Sequence, residues 1–251
     1  MQGPLSYVGG KNRLAKHIIS LTPKHNTYVE PFAGGAQVLF RKEPSEVEVL
    51  NDLDGELVNF YRVCQAHHEE LLRSLRYTLL SRKLYGLLAR TPPENLTDIS
   101  RAARYFILQK CSFGGMVARK NFAAHITKRP TFTPKRIPEI IDAAYKRLQD
   151  VQIESLPYEQ VLEKYDRLTT FFYLDPPYYG VKLYNHNFTD DDFVSLKRHL
   201  SGLKGKFLLS INDHPRIRKL FEGFKMDEVA ISYTLQKHAG RRYKELLIRN
   251  Y

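Results

Sequence analysis

The chain has 251 residues, of which 43% are hydrophobic, and carries 39 Lys and Arg against 27 Asp and Glu, a net charge of +12. This length and composition predict one large domain, or one domain with an insertion, around a sizeable core. A membrane-spanning protein is excluded, because no segment approaches the roughly 18 apolar residues that a span needs. The first residues also lack a charged-then-apolar leader, so we expect a cytoplasmic protein.

The basic excess is confined to the middle of the chain. Residues 73–147 contain 16 Lys and Arg and four acidic residues, which leaves the remainder neutral. A generally basic solvated surface would spread its charge more evenly. A single module with a phosphate-rich partner is therefore the better interpretation.

The cysteines and histidines do not indicate a metal or redox site. Cys64 and Cys111 lie in apolar helical patterns and are predicted to be buried thiols. The nine histidines show no metal-ligand spacing, so no metal site is predicted.

The N-terminal part of the sequence contains two glycine turns, one before a predicted helix and one after the predicted strand that follows it. Tyr7-Val8-Gly9-Gly10-Lys11 precedes a helical pattern, and the Lys11 ammonium would suit a carboxylate partner. The strand Thr27–Glu30 precedes Phe32-Ala33-Gly34-Gly35, where the missing glycine side chains let a ligand approach the backbone. A helix is predicted for residues 36–40.

Two acidic residues follow the next strand, which is predicted at residues 46–50. Asp52 lies 18 residues after Gly34, at the end of that strand, where a carboxylate suits ribose hydroxyls. Asp54 precedes a helical stretch and is predicted to be its N-cap.

Residues 66–148 do not continue this alternation of predicted strands and helices. They contain helical patterns at 71–80, 84–88 and 99–109, followed by a glycine turn at Phe113-Gly114-Gly115. Arginine and amide side chains suit base edges, and cations interleaved with prolines suit DNA phosphates. The candidates of the first kind are Arg119, Lys120 and Asn121, and those of the second are Lys128, Arg129, Lys135 and Arg136.

After a strand at residues 151–153, the buried strand pattern 170–174 ends in Asp175-Pro176-Pro177-Tyr178. The prolines hold this turn extended, so a carboxylate, a free carbonyl and an aromatic ring are presented together. An aromatic amine is a poor nucleophile because its lone pair is conjugated. Two oxygen acceptors would take its hydrogens and turn the lone pair toward an electrophile, while the ring of Tyr178 stacks on the base.

The remaining chain predicts a helix capped by Thr189, a strand at residues 207–213, and an antiparallel pair at 229–233 and 245–250. The basic link between the paired strands contains Arg241 and Arg242, which we interpret as further phosphate contacts.

The order of these motifs resembles the Dam-type (D12 class, alpha-group) DNA adenine-N6 methyltransferases. The resemblance implies an α/β fold, with a Rossmann-like S-adenosylmethionine-dependent methyltransferase sheet and an inserted, mainly helical target-recognition domain. The catalytic domain would comprise residues 1–65 and 149–251, and the insert residues 66–148. Phe113-Gly114-Gly115 replaces the Tyr/Phe-Asn-Gly of the family, so no target sequence is predicted.

The resemblance also implies the roles of individual residues. S-adenosylmethionine would be held by Tyr7, Lys11, Glu30, Phe32, Ala33, Gly34, Gly35, Asp52 and Asp175, and catalysis would involve Asp175, Pro176, Pro177 and Tyr178. Glu30 has two interpretations: it holds the aminoacyl end through Lys11, or it caps the turn. Ser155 and Tyr158 are candidates for the adenine of the cofactor.

The expected substrate is double-stranded DNA, with a cognate restriction endonuclease as a candidate partner. Three alternatives stay open: cytosine-N4 methylation, methylation of RNA or protein, and a catalytically silent DNA-binding module. The last is disfavoured by the intact Lys11, Asp52 and Asp175.

Overall fold

A computed structural model describes residues 2–5, 11–79, 81–112, 133–181, 187–232 and 242–251. Its centre is a seven-stranded sheet of order β3-β2-β1-β4-β5-β7-β6. The strands are β1 (Thr27–Glu30), β2 (Val47–Asn51), β3 (Val151–Glu154), β4 (Thr170–Leu174), β5 (Lys206–Asn212), β6 (Lys225–Ser232) and β7 (Arg242–Arg249). Strands β1 to β5 pair in parallel, whereas β7 is antiparallel to both β5 and β6. The predicted α/β sheet and its closing antiparallel pair are confirmed.

Helices cover both faces of this sheet because alternate strand residues are apolar on each face. Tyr28 and Phe171 belong to one core cluster, and their neighbours Val29 and Phe172 belong to the other. The helices are α1 (Ala15–Leu21), α2 (Gly55–Ala66), α3 (His68–Leu75), α4 (Arg82–Arg90), α5 (Asp98–Cys111), α6 (Ile137–Leu148), α7 (Tyr158–Tyr165), α8 (Asp190–Ser201) and α9 (Pro215–Leu220). The first cluster contains residues of α1, α2, α3, α5 and α6, and the second contains residues of α7, α8 and α9.

The crossover from β2 to β3 contains α2 to α6, and its hydrophobic core is continuous with one face of the sheet. Helices α2 and α5 pack together through a stacked pair of rings, Phe60 and Phe106, whose centroids are 5.8 Å apart. At the end of α6, Arg147 donates to Glu48 of β2. The basic segment of the chain is thus built onto the sheet by apolar packing and by a buried ion pair.

Helices α2 and α8 each begin directly after a residue whose side chain caps the helix N-terminus. The Asp54 carboxylate accepts from the N–H groups of Glu56 and Leu57, and Thr189 forms a capping box with Asp192. Both predicted caps are confirmed.

The helix predicted for residues 36–40 is wrong, since the chain forms irregular turns there. A helix would direct the Leu39 N–H to the Gly35 carbonyl. Instead the Leu39 N–H donates to the Glu30 carboxylate at 2.9 Å, and the Gly35 carbonyl accepts from the Gln37 side chain. A buried side chain competes here with the helical hydrogen bond.

Both cysteines are buried free thiols, as predicted, and burial raises the pKa of the Cys111 thiol to about 11. Among the described residues, no group of three or more His, Cys, Asp or Glu side chains is arranged to hold a metal ion. No helix within the described ranges has the length and hydropathy to cross a bilayer.

Candidate active site

Three loops meet where the strand order reverses. From β1 the order runs outward through β2 and β3, and from β4 it runs the other way through β5. Loops on either side of such a reversal leave a crevice at the carboxyl ends of the strands. The glycine loop after β1 and Asp175 after β4 border this crevice, and Asp52 follows the adjoining strand β2.

The Asp175 carboxylate is fixed through one of its two oxygens. Lys11 Nζ and Ser210 Oγ both donate to Oδ1, at 2.7 and 3.1 Å. Within the described part of the chain, no group donates to Oδ2 or to the Pro176 carbonyl, and the Asp175 side chain stays 21% exposed. Burial raises the pKa of Asp175 against the opposing pull of Lys11. The turn therefore presents two acceptors that receive no hydrogen bond from the residues that the structure describes.

Lys11 lies between two carboxylates. Besides Asp175, Lys11 Nζ donates to the Tyr178 hydroxyl at 2.6 Å and lies 3.7 Å from Glu245 Oε2. The Tyr178 hydroxyl in turn donates to Glu245 Oε1 at 2.5 Å. Lys11 is 4% exposed, so this ion pair is shielded from solvent and its position is well defined.

The glycine loop and Asp52 form one hydrogen-bonded unit. Gly34 has a φ of +45°, a conformation that glycine adopts without strain. Its N–H donates to Asp52 Oδ2 at 2.9 Å, and its carbonyl accepts from the Tyr61 hydroxyl at 2.8 Å. The Asp52 side chain is thereby held against the backbone of the loop, where it borders the crevice.

Glu30 braces the turns that follow the glycine loop. The Tyr28 hydroxyl and the Leu39 N–H both donate to its Oε1, at 2.7 and 2.9 Å. Burial raises its pKa to about 7. Lys11 is not among these hydrogen-bond partners, so the geometry favours the turn-capping interpretation of Glu30 over a role through Lys11.

The family model for D12 class N6 adenine-specific DNA methyltransferases matches residues 7–235 of this chain. The chain belongs to this family. It is a DNA methyltransferase that modifies adenine at N6 with S-adenosylmethionine as the methyl donor. The resemblance on which the sequence interpretation depends is confirmed.

Curated relatives match the methyltransferase along its whole length. The type II methyltransferase M.CviBI of Paramecium bursaria Chlorella virus NC1A is 28% identical over 262 residues, with 100% of both chains covered. The type II methyltransferase M1.LlaDCHI of Lactococcus lactis subsp. cremoris is also 28% identical, over 98% of this chain and 94% of its own. The crystal structure of SMU.472 complexed with SAH is a distant likeness, with a TM-score of 0.41, 12% identity, and coverage of 95% of this chain and 52% of that one.

The crevice of the methyltransferase fits its donor chemically. A carboxylate at Asp52 suits the ribose diol, and the turn at Gly34 leaves backbone open to a ligand. Phe32 forms an aromatic cluster with Tyr158 and Phe188, with ring centroids 5.3 and 5.6 Å from its own. These rings provide an apolar surface for a nucleobase. Ser155, the other adenine candidate, instead donates to the Asp52 backbone carbonyl at 3.2 Å.

The structure places part of the predicted DNA-binding set. Lys135 and Arg136 are exposed in a 3-10 turn before α6, and Arg136 pairs with Glu139 at 3.4 Å. Lys110 at the end of α5 has its pKa lowered to about 8 by burial and by the nearby charge of Arg136. Outside the described residues lie Tyr7, Arg119, Lys120, Asn121, Lys128, Arg129 and Arg241, and for Arg242 the backbone alone is described. Their roles stay predictions.

Sequence reasoning missed the residues of the neighbouring strands that hold residues 175–179, which we call the catalytic turn because of the role proposed for it below. Ser210 and Asn212 of β5 contact Asp175 and Tyr179, and Glu245 of β7 contacts Tyr178. One signal was present for Glu245: strand alternation puts it on the same face as the buried Leu247. An acidic residue on the inward face of a strand indicates a buried partner.

Proposed function

We propose that this methyltransferase acts on an adenine flipped out of double-stranded DNA, with Asp175 and the Pro176 carbonyl as acceptors for its amino group. This is the site-specific activity classified as EC 2.1.1.72. One observation supports it above the others: both donors that the described residues give to Asp175 bind Oδ1, and no described group donates to Oδ2.

In this mechanism, Asp175 Oδ2 and the Pro176 carbonyl each accept one N–H of the adenine amino group. The lone pair of the nitrogen is then directed out of the conjugated ring plane toward the methyl donor. Lys11 and Ser210 keep the carboxylate from rotating, so alignment accounts for much of the rate gain. Tyr178, whose hydroxyl is anchored, offers its ring to the flipped base.

We propose that the cofactor lies over residues 32–35, with its ribose at Asp52 and its nucleobase near Phe32. When bound, S-adenosylmethionine supplies an electrophilic methyl group on a sulfonium. The Asp52 carboxylate would hold the ribose hydroxyls, and the buried Lys11 ammonium would lie at the aminoacyl end. Tyr7, Glu30 and Ala33 stay in the proposed set as residues that line or support this loop.

Residues 66–148 would form the target-recognition part, and residues 1–65 and 149–251 the catalytic part. The central charge excess suits the DNA backbone, and the predicted base and phosphate contacts are the Lys, Arg and Asn residues of the segment 119–136 together with Arg241 and Arg242. Base flipping would cost a few kcal/mol, which these contacts offset. We further propose a cytoplasmic enzyme that protects DNA against a cognate endonuclease.

The experiment is Asp175→Ala, assayed with labelled S-adenosylmethionine and DNA from a methylation-free host. We expect transfer to fall by about 10³-fold or more because the amino group loses its principal acceptor. Equilibrium binding of S-adenosylmethionine should survive within about tenfold, since Asp52 and the glycine loop are intact. Mass analysis of the nucleosides from wild-type reactions should give N6-methyladenine.

Asp150→Ala is the matched control, because Asp150 is exposed at the end of α6. It should methylate at the wild-type rate. Near-normal turnover of Asp175→Ala would exclude the proposed role of Asp175, and N4-methylcytosine as the product would contradict the proposed target atom.

A further inference from the structure

Glu245 is a buried acid in β7, directly before three buried apolar residues. It is 1% exposed and precedes Leu246, Leu247 and Ile248, each 0% exposed. Removing a carboxylate from water costs several kcal/mol unless polar partners compensate. The partners that compensate this cost therefore indicate what Glu245 does.

The partners of Glu245 are residues of the catalytic turn and its lysine. The Tyr178 hydroxyl donates to Oε1 at 2.5 Å, and Lys11 Nζ is 3.7 Å from Oε2. Lys11 in turn donates to Asp175 Oδ1 at 2.7 Å. Glu245 thus reaches the proposed acceptor Asp175 through Lys11, and the base-facing ring through Tyr178.

Side chains of the neighbouring strands β5 and β7 hydrogen-bond to three residues of the catalytic turn. Ser210 of β5 donates to Asp175, and Asn212 of β5 accepts from the Tyr179 N–H at 2.9 Å and donates to its carbonyl at 3.1 Å. Glu245 lies directly opposite Asn212 in the antiparallel register of β7 against β5. Tyr178, which lies between the two residues held by β5, is held by β7.

We propose that Glu245 is a positioning residue for methyl transfer, which fixes the Tyr178 ring and shares the charge of Lys11 with Asp175. This inference rests on the proposed role of the catalytic turn. Because Lys11 is drawn toward two carboxylates, Asp175 is not fully neutralised and stays a strong acceptor for the adenine amino group. Because the Tyr178 hydroxyl is fixed, the ring has one orientation toward the flipped base.

The test uses Glu245→Gln, Tyr178→Phe and the double variant, with kcat and both KM values measured on unmethylated DNA. The Gln carbonyl still accepts from Tyr178, but its amide carries no charge for Lys11. We expect each single change to lower kcat by about tenfold or more while KM for S-adenosylmethionine changes by less than about threefold. The double variant should lose less than the product of the two single losses, because the residues act through one hydrogen bond.

Glu228→Gln is the matched control, since Glu228 lies on the adjoining strand β6 and pairs at the surface with Arg218 and Lys244. It should keep the wild-type kcat. Wild-type kcat in Glu245→Gln would overturn the inference. So would a loss of kcat in the double variant that equals the product of the single losses and tracks a lowered melting temperature, since that pattern marks a purely structural residue. The proposed function fails separately, if Asp175→Ala retains turnover.

Discussion

Two carboxylates, the buried Glu48 and the partly buried Asp175, are each paired with a buried lysine but differ in how fully their oxygens are used. Glu48 accepts from Lys42 at 2.5 Å, from the Ser45 N–H at 3.1 Å and from both terminal nitrogens of Arg147. Asp175 accepts from Lys11 and Ser210 through one oxygen. The pKa of Glu48 is lowered by its cations, whereas burial raises the pKa of Asp175 despite its lysine.

The two ion clusters differ in whether the carboxylate has an oxygen to which no described residue donates. Glu48 lies near the beginning of β2 and ties it to α6 through Arg147, and all of its acceptor capacity serves the fold. Asp175 lies past the end of β4, and one of its oxygens receives no donor from the described residues, which suits the acceptor role that we propose for it. Burial and a lysine partner therefore do not distinguish the two carboxylates, whereas the number of donors that each receives from the described residues does.

Asp175→Asn should separate the two carboxylates most clearly. We expect methyl transfer to fall by about 10³-fold, because the amide oxygen is a weaker acceptor and the NH₂ group, which is a donor, cannot accept a hydrogen from the adenine amino group. The free energy of unfolding should stay within about 1 kcal/mol of wild type, because the lost ion pair and the relieved burial penalty oppose each other. Urea unfolding and initial rates measure both. A large loss of stability would make Asp175 a structural residue like Glu48.

Glu48→Gln should give the opposite result. We expect the free energy of unfolding at pH 7 to fall by about 3 kcal/mol, because Lys42 and Arg147 are left without a buried counter-charge. The methylation rate per folded molecule should not change. Because the folded pKa of Glu48 is lowered, this contribution is present above the unfolded pKa and is lost as the pH falls through the folded pKa.

Urea unfolding of Glu48→Gln at pH 7 and below pH 4 measures this, with the exposed Glu43→Gln as the control. If Glu48→Gln lowers kcat at 20 °C, where the protein is still folded, the Glu48 ion cluster contributes to methyl transfer. Its role would then not be purely structural.

Glu30 provides a test in which stability depends on pH in the opposite direction to that expected for Glu48. Its folded pKa of about 7 is raised by burial, so its contribution to stability is present below the unfolded pKa and is lost as the pH rises through 7. We expect wild-type stability to fall by up to about 3 kcal/mol between pH 5 and pH 8 relative to Glu30→Gln. Thermal melts across this range check it, with the exposed Glu163→Gln following wild type. Parallel curves for wild type and Glu30→Gln would show that Glu30 does not titrate differently on folding.

Asp52 and Asp54 are a second pair of carboxylates for which we propose different roles. Asp54→Ala should lower the free energy of unfolding by about 1 kcal/mol through the lost cap of α2, with little change in S-adenosylmethionine affinity. Asp52→Ala should weaken that affinity by about tenfold, because a charged hydrogen bond to the ribose is lost. Calorimetric titration and urea unfolding of the two variants measure both quantities. Weaker cofactor binding in Asp54→Ala alone would reverse the two assignments.

Local patterns predicted much of the fold and part of the site. Short apolar runs bounded by turn residues predicted the strands, and side chains with capping chemistry predicted the starts of α2 and α8. Motifs placed Asp52 and Asp175 at strand ends, where the structure has them. The helix after Gly35 was predicted wrongly because Glu30, which reaches it from β1, is nine residues away from Leu39.

The partners of the catalytic turn could not be predicted, because they are remote along the chain. Ser210 and Glu245 are 35 and 67 residues from their partners Asp175 and Tyr178, and Lys11 is 164 residues from Asp175. No local periodicity encodes which of the other strands lies beside β4. That neighbour is set by packing and by the handedness of the crossovers.

The sequence by itself determined the chemistry of this protein: a rigid diproline turn, a glycine loop, a ribose-type acid and a concentrated basic segment, since each is a local set of residues with its own conformational preference. The tertiary structure alone decided which oxygen of Asp175 accepts from Lys11 and Ser210 and which acids share Lys11. Hydrogen bonds between side chains depend on distances that exist after the strands are paired, so their pattern is a property of the folded chain.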